Sequence, residues 1–308
     1  MALSDHIPVL YQDIILALNP KSRGRYVDGT LGAGGHAAGI LKASSPDGEI
    51  LGLDVDPQAL EIARKNLFEF GPRATIIQAS YTTLTEQLAK VGWTRIDGML
   101  LDLGASSMQF DTPERGFSFQ AAGELDMRFD PTNALTATHL VNDLPESELA
   151  NLIFRFGEEP RSRQIAKAIV AARPITSTIQ LADVITSISK SRDRLHPATR
   201  TFMALRIAVN DELTSIEQVL PQAIHSLAIG GRLAVISFHS LEDRLVKNFF
   251  RQESKDCLCP PRQPICTCGH KASIRELNRR PLIPTDQESS SNPRARSAKL
   301  RVVEKISS

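Results

Sequence analysis

Between Arg25 and Asp102, short apolar runs alternate with stretches whose apolar residues recur at helical spacing. Each run ends in polar residues: Tyr26-Val27 at Asp28, Ile50-Leu51-Gly52-Leu53 at Asp54, the run 74–78 at Ala79-Ser80-Tyr81, and Met99-Leu100-Leu101 at Asp102. A short amphipathic helix is expected at 11–18, with further helices at 58–70, stopped by Gly71-Pro72, and at 85–91. Strands alternating with helices predict an α/β fold, a parallel sheet covered by helices on both faces.

The alternation then breaks. Residues 111–131 form a polar connection punctuated by Gly and Pro, and no strand follows. Three helical segments come next: one from Pro145 with Leu149, Leu152, Ile153 and Phe156 on one face, one over 161–173 closed by Pro174, and one over 178–190 with Leu181, Val184, Ile185 and Ile188 in a stripe. An all-helical block between the fourth and fifth strands is an inserted small domain. From His196 a helical pattern runs to about Leu227, with a break expected at Pro221; a fifth strand follows over 230–240, and 292–305 carries one more behind a basic loop.

Composition adds little to the fold but something to the partners. The 308 residues are 42% hydrophobic, ample for a buried core. The net charge of +1 hides an asymmetry: from Arg251 onward there are 12 Lys/Arg against 6 Asp/Glu, and before it 24 against 29. A basic C-terminal section suits contact with phosphates, or is a solvated tail. No charged segment leads into an apolar signal-like stretch and no run of 18 apolar residues occurs, so a soluble, cytoplasmic protein is expected.

The candidate chemistry gathers after the strands. Gly32-Ala-Gly-Gly-His36 opens a helix after an acid-tipped strand, and glycines let backbone approach a ligand. Asp54 and Asp56, about twenty residues on, can accept hydrogen bonds from a ribose diol. The spacing also satisfies a dinucleotide fingerprint, but Asp28 would repel a pyrophosphate, whereas S-adenosylmethionine carries no phosphate and its cationic groups tolerate acids. A P-loop is excluded, since no Gly-Lys-Ser/Thr follows the glycines. Tyr81 can lie against an adenine, or simply pack. Asp102 should stand beside the cofactor's reacting end, or cap the next turn, and Gln109 can reach cofactor or base, or face water. Ser237, His239 and Ser240 with Glu242, Asp243 and Arg244 fall on the same edge; no G-x-S-x-G elbow supports a hydrolase, and His239 is assigned substrate binding, proton transfer or a structural hydrogen bond. All four cysteines lie between 257 and 268 in two C-x-C pairs. Because one intervening residue is expected to strain a tetrahedral site, free or redox-active thiols are preferred over zinc and no metal is assigned.

Several motifs together resemble one family: His6-Ile-Pro-Val-Leu10, Asp28-Gly-Thr-Leu-Gly-Ala-Gly-Gly-His36, Leu101-Asp-Leu-Gly-Ala-Ser-Ser107, Glu114-Arg-Gly-Phe-Ser-Phe119, Leu125-Asp-Met-Arg128, His196-Pro-Ala-Thr-Arg-Thr-Phe202, Ile236-Ser-Phe-His-Ser-Leu-Glu-Asp-Arg244 and Asn292-Pro-Arg-Ala-Arg-Ser297. Over almost its whole length the chain resembles the bacterial ribosomal RNA small subunit methyltransferase H family. The resemblance implies a Rossmann-like class I S-adenosylmethionine-dependent methyltransferase sheet formed by 1–110 and 201–308, with a helical substrate-recognition domain at 111–200. It implies N4 methylation of a cytidine in the decoding region of 16S rRNA, on the small ribosomal subunit or its late precursor, and leaves a homodimer open. Carried over by motif, the cofactor contacts are Gly34, Gly35, His36, Asp54, Tyr81, Asp102 and Gln109, with Asp102 and His239 as candidate catalytic residues. The cysteine loop looks like a variant found in only part of that family. Two other classes stand beside this one, a nicotinamide oxidoreductase and a non-enzymatic RNA-binding protein with a vestigial clamp.

Overall fold

The computed structural model describes residues 8–188, 196–260, 263 and 265–307. His6 and Ile7 of the N-terminal motif, the expected helix end at Lys190, and Pro261, Arg262 and Pro264 of the cysteine loop lie outside the described residues. The chain divides into two units, Met1–Gly104 with Leu213–Ser308, and Ala105–Glu212.

In the first unit α1 (Tyr11–Leu18) is followed by β1 (Arg25–Asp28), α2 (Gly35–Ala43), β2 (Glu49–Asp54), α3 (Pro57–Asn66), β3 (Ala74–Gln78), α4 (Leu84–Lys90) and β4 (Ile96–Asp102). α3 starts where the sequence says it must, with Pro57 in the first turn and the Asp56 carboxylate accepting the Gln58 N–H at 3.0 Å. It ends earlier than the expected 70, at Asn66; a 3-10 stretch then carries the chain through Gly71, whose φ of 53° a residue with a Cβ rarely adopts.

The second unit, 105–212, contains the expected block 111–200. Its helices are α5 (Ser107–Asp111), α6 (Ala137–Asp143), α7 (Glu146–Gly157), α8 (Ser162–Ala171), α9 (Thr178–Ile188) and α10 (Thr199–Asn210). α5 and α6 were not anticipated, because five and seven residues are too few to show a period. The stripes on α7, α8 and α9 do form the core: Leu149, Ile153, Ile165, Ile169, Leu181 and Ile185 pack together with Phe202 and Leu205 of α10. The polar connection before them is tied by Arg128, which pairs with Asp126 at 2.6 Å and donates to the carbonyls of Pro131 and Asn133.

The first unit resumes at Leu213, one residue into α11 (Glu212–Ser226), and continues with β5 (Leu227–Ser237), α12 (Ser240–Glu253), β6 (Ile274–Glu276), α13 (Asp286–Ser291) and β7 (Lys299–Lys305). The helix break comes at Asp211, which takes the left-handed conformation (φ 47°), and not at Pro221, which stays inside α11. A proline in a helix interior costs about 3 kcal/mol. Burial of Ile216, Val219, Leu220, Ala223 and Ile224 outweighs it, at roughly 1.5–3 kcal/mol for each large side chain.

Strand order is β3-β2-β1-β4-β5-β7-β6, with β1 to β5 parallel and β7 antiparallel to both neighbours, so the wholly parallel sheet read from the pattern gains an antiparallel edge. Alternate residues serve opposite faces. Val27, Met99, Leu101, Leu233 and Val235 enter one core; Tyr26, Leu100, Ala234 and Ile236 enter the other. With both faces of the parallel strands largely covered by apolar side chains, the acids Asp28, Asp54 and Asp102 stand at their carboxyl ends.

Candidate active site

The carboxyl ends of β3, β2, β1, β4 and β5 lie side by side, adjacent strands about 4.8 Å apart. Along that edge the strand ends present, in order, Ser80 and Tyr81, Asp54 and Asp56, Asp28, Asp102, then Ser237 and His239. In open α/β sheets this is the ligand edge.

The turn after β1 is built on backbone hydrogen bonds to both neighbouring strands, Gly29 N–H to the Leu100 carbonyl (3.0 Å) and Leu31 N–H to that of Leu53 (2.9 Å). Gly32 and Gly34 then take φ of +52° and +83°. Asp54 grips the turn from β2, its carboxylate accepting the N–H groups of Gly32 at 2.7 Å and Asp56 at 2.9 Å. Burial raises the Asp54 pKa, and those backbone donors oppose the rise.

The glycines do less to open space than the sequence reading assumed. A Cβ on Gly34 would meet Leu67 at 3.2 Å and one on Gly35 would meet Pro8 at 2.5 Å, whereas at Gly32 the nearest atom is the Thr30 carbonyl at 3.9 Å. Gly34 and Gly35 therefore serve backbone conformation and the packing of α2, and only Gly32 leaves open room. The Gly34 N–H is itself spent on the Leu31 carbonyl. What α2 offers a ligand is its N-terminal end, beginning at Gly35 and His36, where N–H groups lack intrahelical acceptors and favour a carboxylate.

Asp28 is 1% exposed and its Oδ1 accepts the Thr30 N–H at 3.2 Å. Burial pushes its carboxyl up to about 7; His36 and Thr30 pull it down, and Asp102 and Asp54 add to the rise. Near neutral pH Asp28 thus carries only part of the charge first assigned to it. Exclusion of a diphosphate falls to the three carboxyls together and not to Asp28 alone.

Asp102 is fixed through its backbone, whose N–H donates to Thr30 Oγ1 at 2.6 Å. Its Oδ2 lies 3.7 Å from His36 Nε2, and the His36 ring stacks against Tyr11 with centroids 6.2 Å apart. Asp102 Oδ1 and both His36 ring nitrogens are buried without a hydrogen-bond partner among the described residues. Bare buried polar atoms cost about 1–3 kcal/mol each, so a cluster of them marks a place where a ligand supplies the missing bonds. The alternative of a turn cap is not seen: no backbone N–H donates to the Asp102 carboxylate among the described residues. Thr30 was missed in the sequence, where its only signal is a hydroxyl inside the glycine turn.

The other candidates have structural work. Tyr81 begins a one-turn 3-10 helix whose Thr82 N–H donates to Ser80 Oγ at 3.2 Å, and its Cβ would lie 3.3 Å from a Cβ on Gly29, beside the end of β1. His239 is the N-cap of α12: Nδ1 accepts the Glu242 N–H at 3.4 Å, Nε2 lies 3.1 Å from Glu242 Oε1, and Glu242 Oε2 accepts the Phe238 N–H at 2.8 Å. Beside it is a cavity of about 410 Å³ lined by Ser240, Arg296 and Lys299 among others. Gln109 lies in the second unit, buried; its Oε1 accepts the Ser106 N–H at 3.0 Å and Ser106 Oγ accepts the Gln109 N–H at 3.3 Å, a reciprocal cap on α5. One edge thus brings together Gly34, Gly35, His36, Asp54, Tyr81 and Asp102, with His239 just beyond the end of β5, and Gln109 belongs to the other unit.

Residues 3–306 match the model of the MraW methylase family. A protein of Heliobacterium modesticaldum called ribosomal RNA small subunit methyltransferase H is 48% identical over 308 residues, 98% of each chain. One of the same description from Citrifermentans bemidjiense is 51% identical over 307 residues, again 98% of each. Among solved structures, an rRNA methylase from Streptococcus thermophilus aligns over 99% of both chains with 12% identity and a TM-score of 0.43, a likeness too weak to add to the strand order.

The raised Asp28 pKa has a measurable consequence. The folded chain holds this proton more tightly than the unfolded one, so the associated stability is fully present below the ordinary carboxyl pKa of 3.8 and is lost as pH rises through about 7. Relative to Asp28→Asn, the wild type should lose stability between pH 4 and 7 at up to about 1.4 kcal/mol per unit, then level off. Parallel urea-unfolding curves for the two proteins from pH 4 to 8 would show that Asp28 is not held in this way.

Proposed function

The chain belongs to the MraW methylase family, and from that premise we propose that it methylates N4 of a cytidine in the decoding region of 16S rRNA. The cofactor is S-adenosylmethionine and the activity is methylation of small-subunit ribosomal RNA. The observation that carries the finer reading is the carboxylate of Asp102, buried at Oδ1, bare of partners there, and 26% exposed overall at the end of the central strand β4.

When bound, S-adenosylmethionine supplies a methyl group made electrophilic by a positive sulfur. Asp54 keeps lone pairs for a ribose diol after taking the Gly32 and Asp56 N–H bonds. We assign the adenine to Tyr81, beside the end of β1, and the amino-acid end to Gly34, Gly35 and His36 at the start of α2; the N-terminal turn of α2 supports the second assignment. These assignments suit the bare His36 nitrogens and the three-carboxyl edge, which favours a cation over a diphosphate. Gln109 as a cofactor contact rests on the family resemblance alone.

The exocyclic amine of cytosine is a poor nucleophile because its lone pair is delocalised into the ring. Asp102, accepting an N–H of that amine, returns electron density to nitrogen and orients it for in-line attack at about 3–3.5 Å from the methyl carbon. Thr30 holds Asp102 in register through the backbone. His239 spends Nδ1 on the cap of α12, and its Nε2 lies 3.1 Å from Glu242 Oε1 without a hydrogen bond; the cap supports a positioning role, with the amine proton released to water. The base must leave its stack to be reached, at a cost of a few kcal/mol. The helical block 111–200 recognises the substrate, and basic side chains such as Arg296 and Lys299 beside the His239 cavity bind RNA backbone.

Labelled-methyl transfer to naked 16S rRNA, isolated small subunits and whole ribosomes, followed by nucleoside mapping, tests the reading. Label in N4-methylcytidine at one decoding-region position is expected; label on a ring carbon or on another base would refute it. At saturating cofactor, Asp102→Ala should slow transfer by about 10²–10⁴-fold. Near-normal turnover with cofactor binding intact would remove Asp102 from the chemistry. His239→Asn, which keeps a capping acceptor, should retain most of the turnover lost in His239→Ala. Equal loss in the two would instead assign His239 the proton.

A further inference from the structure

The segment between α12 and β6 runs from Ser254 to Ser273 without helix or strand among its described residues, longer than loops in folded domains usually are without a fastening. Its ends are clamped: the Ser273 N–H donates to the Glu253 carbonyl at 2.9 Å, and His270 Nε2 lies 3.1 Å from the Gln252 carbonyl. Between the clamps stand Cys257, Cys259, Cys266 and Cys268, their four sulfurs all within 4.8 Å of one another. The Cys257–Cys266, Cys266–Cys268 and Cys257–Cys268 separations are 3.5, 3.6 and 3.8 Å. A disulfide needs about 2.05 Å. Four thiolates at about 2.3 Å from a tetrahedral zinc ion are about 3.8 Å apart.

We propose that these four cysteines bind one zinc ion in a closed tetrathiolate site. The C-x-C spacing, expected from sequence to strain such a site, instead assists it. The two pairs close on one another across the loop, Cys257 on Cys266 at 3.5 Å and on Cys268 at 3.8 Å, so each pair supplies two sulfurs to one centre. Backbone donors already point at the sulfurs, with Leu258 N–H to Cys268 Sγ at 3.3 Å, Cys259 N–H to Cys257 Sγ at 3.4 Å and Thr267 N–H to Cys259 Sγ at 3.4 Å. Such donors orient the lone pairs of metal-bound thiolates and offset the doubly negative charge of the centre. Soft sulfur ligands in tetrahedral array select zinc over harder cations.

Four protein ligands leave no position for water or substrate, so the metal is structural. Its place agrees: α12 starts at the ligand edge, where His239 caps it, and its 14 residues carry the chain about 21 Å before the loop begins. The ion fastens a loop whose stem carries Lys255 and Lys271. Binding is not a redox step; each coordinating thiol releases its proton to the buffer.

The full chain, produced with zinc in the medium and purified without chelator, should contain about one zinc per molecule by elemental mass spectrometry. Exchange with Co²⁺ should give the intense visible bands and thiolate charge transfer of a tetrahedral tetrathiolate. Cys257→Ser with Cys266→Ser should lose the metal and the bands, and accelerate amide exchange at Leu258 and Thr267, while S-adenosylmethionine binding persists. Metal-free wild type that shows four reactive thiols and takes up no Co²⁺, protein isolated with the cysteines paired as disulfides, or protein carrying iron in place of zinc would each overturn the assignment. Because the readouts are metal content, spectra and exchange, failure here leaves the methyltransferase reading untouched.

Discussion

Three carboxyl groups, Asp28, Asp54 and Asp102, are drawn to one edge of a sheet whose two faces are sealed by apolar side chains. Everything else at the site follows from managing that charge. Asp54 is satisfied by backbone donors, Asp28 is driven toward its neutral form by burial, and Asp102 keeps an oxygen without a partner beside His36. An edge so constituted is poorly suited to a diphosphate and well suited to a ligand that brings a positive centre and hydrogen-bond donors.

The glycine turn is the mechanical counterpart of that charge cluster. Thr30 joins β1 to β4 through the Asp102 backbone, Gly32 joins it to β2 through the Asp54 carboxylate, and Gly34 reverses the chain into α2. One short turn therefore sets the position of the acids relative to the N-terminus of α2. The region beyond β5 is stiffened separately, by the His239 and Glu242 cap at the start of α12 and by the buried pair of Asp243 with Arg301 at 2.7 Å.

Much of this was legible in the sequence, for physical reasons. Strands sealed on both faces read as apolar runs, and their acid tips mark the ligand edge, so β1 to β4 and Asp54 and Asp102 could be named from pattern alone. α5 and α6 could not, being too short for a period. The break at Asp211 was hidden because Pro221 is the louder local signal, and only the burial of α11 shows why the helix continues through it. Gly34 and Gly35 were assigned openness because a sequence cannot show that Leu67 and Pro8 fill the space beside them. The C-x-C pairs look strained in one dimension and prove convergent in three. The cofactor contacts proposed at Tyr81 and Gln109 rest on motif resemblance, and no spacing argument separates them from ordinary packing.

The most direct test is to titrate the wild type and Asp102→Asn with S-adenosylmethionine, with the uncharged thioether S-adenosylhomocysteine, and with NADH. If the edge is built to face a cationic sulfur, the wild type ignores NADH, and neutralising Asp102 shifts the affinity ratio toward S-adenosylhomocysteine by about tenfold. An unchanged ratio, or NADH binding that competes with S-adenosylmethionine, would contradict the account.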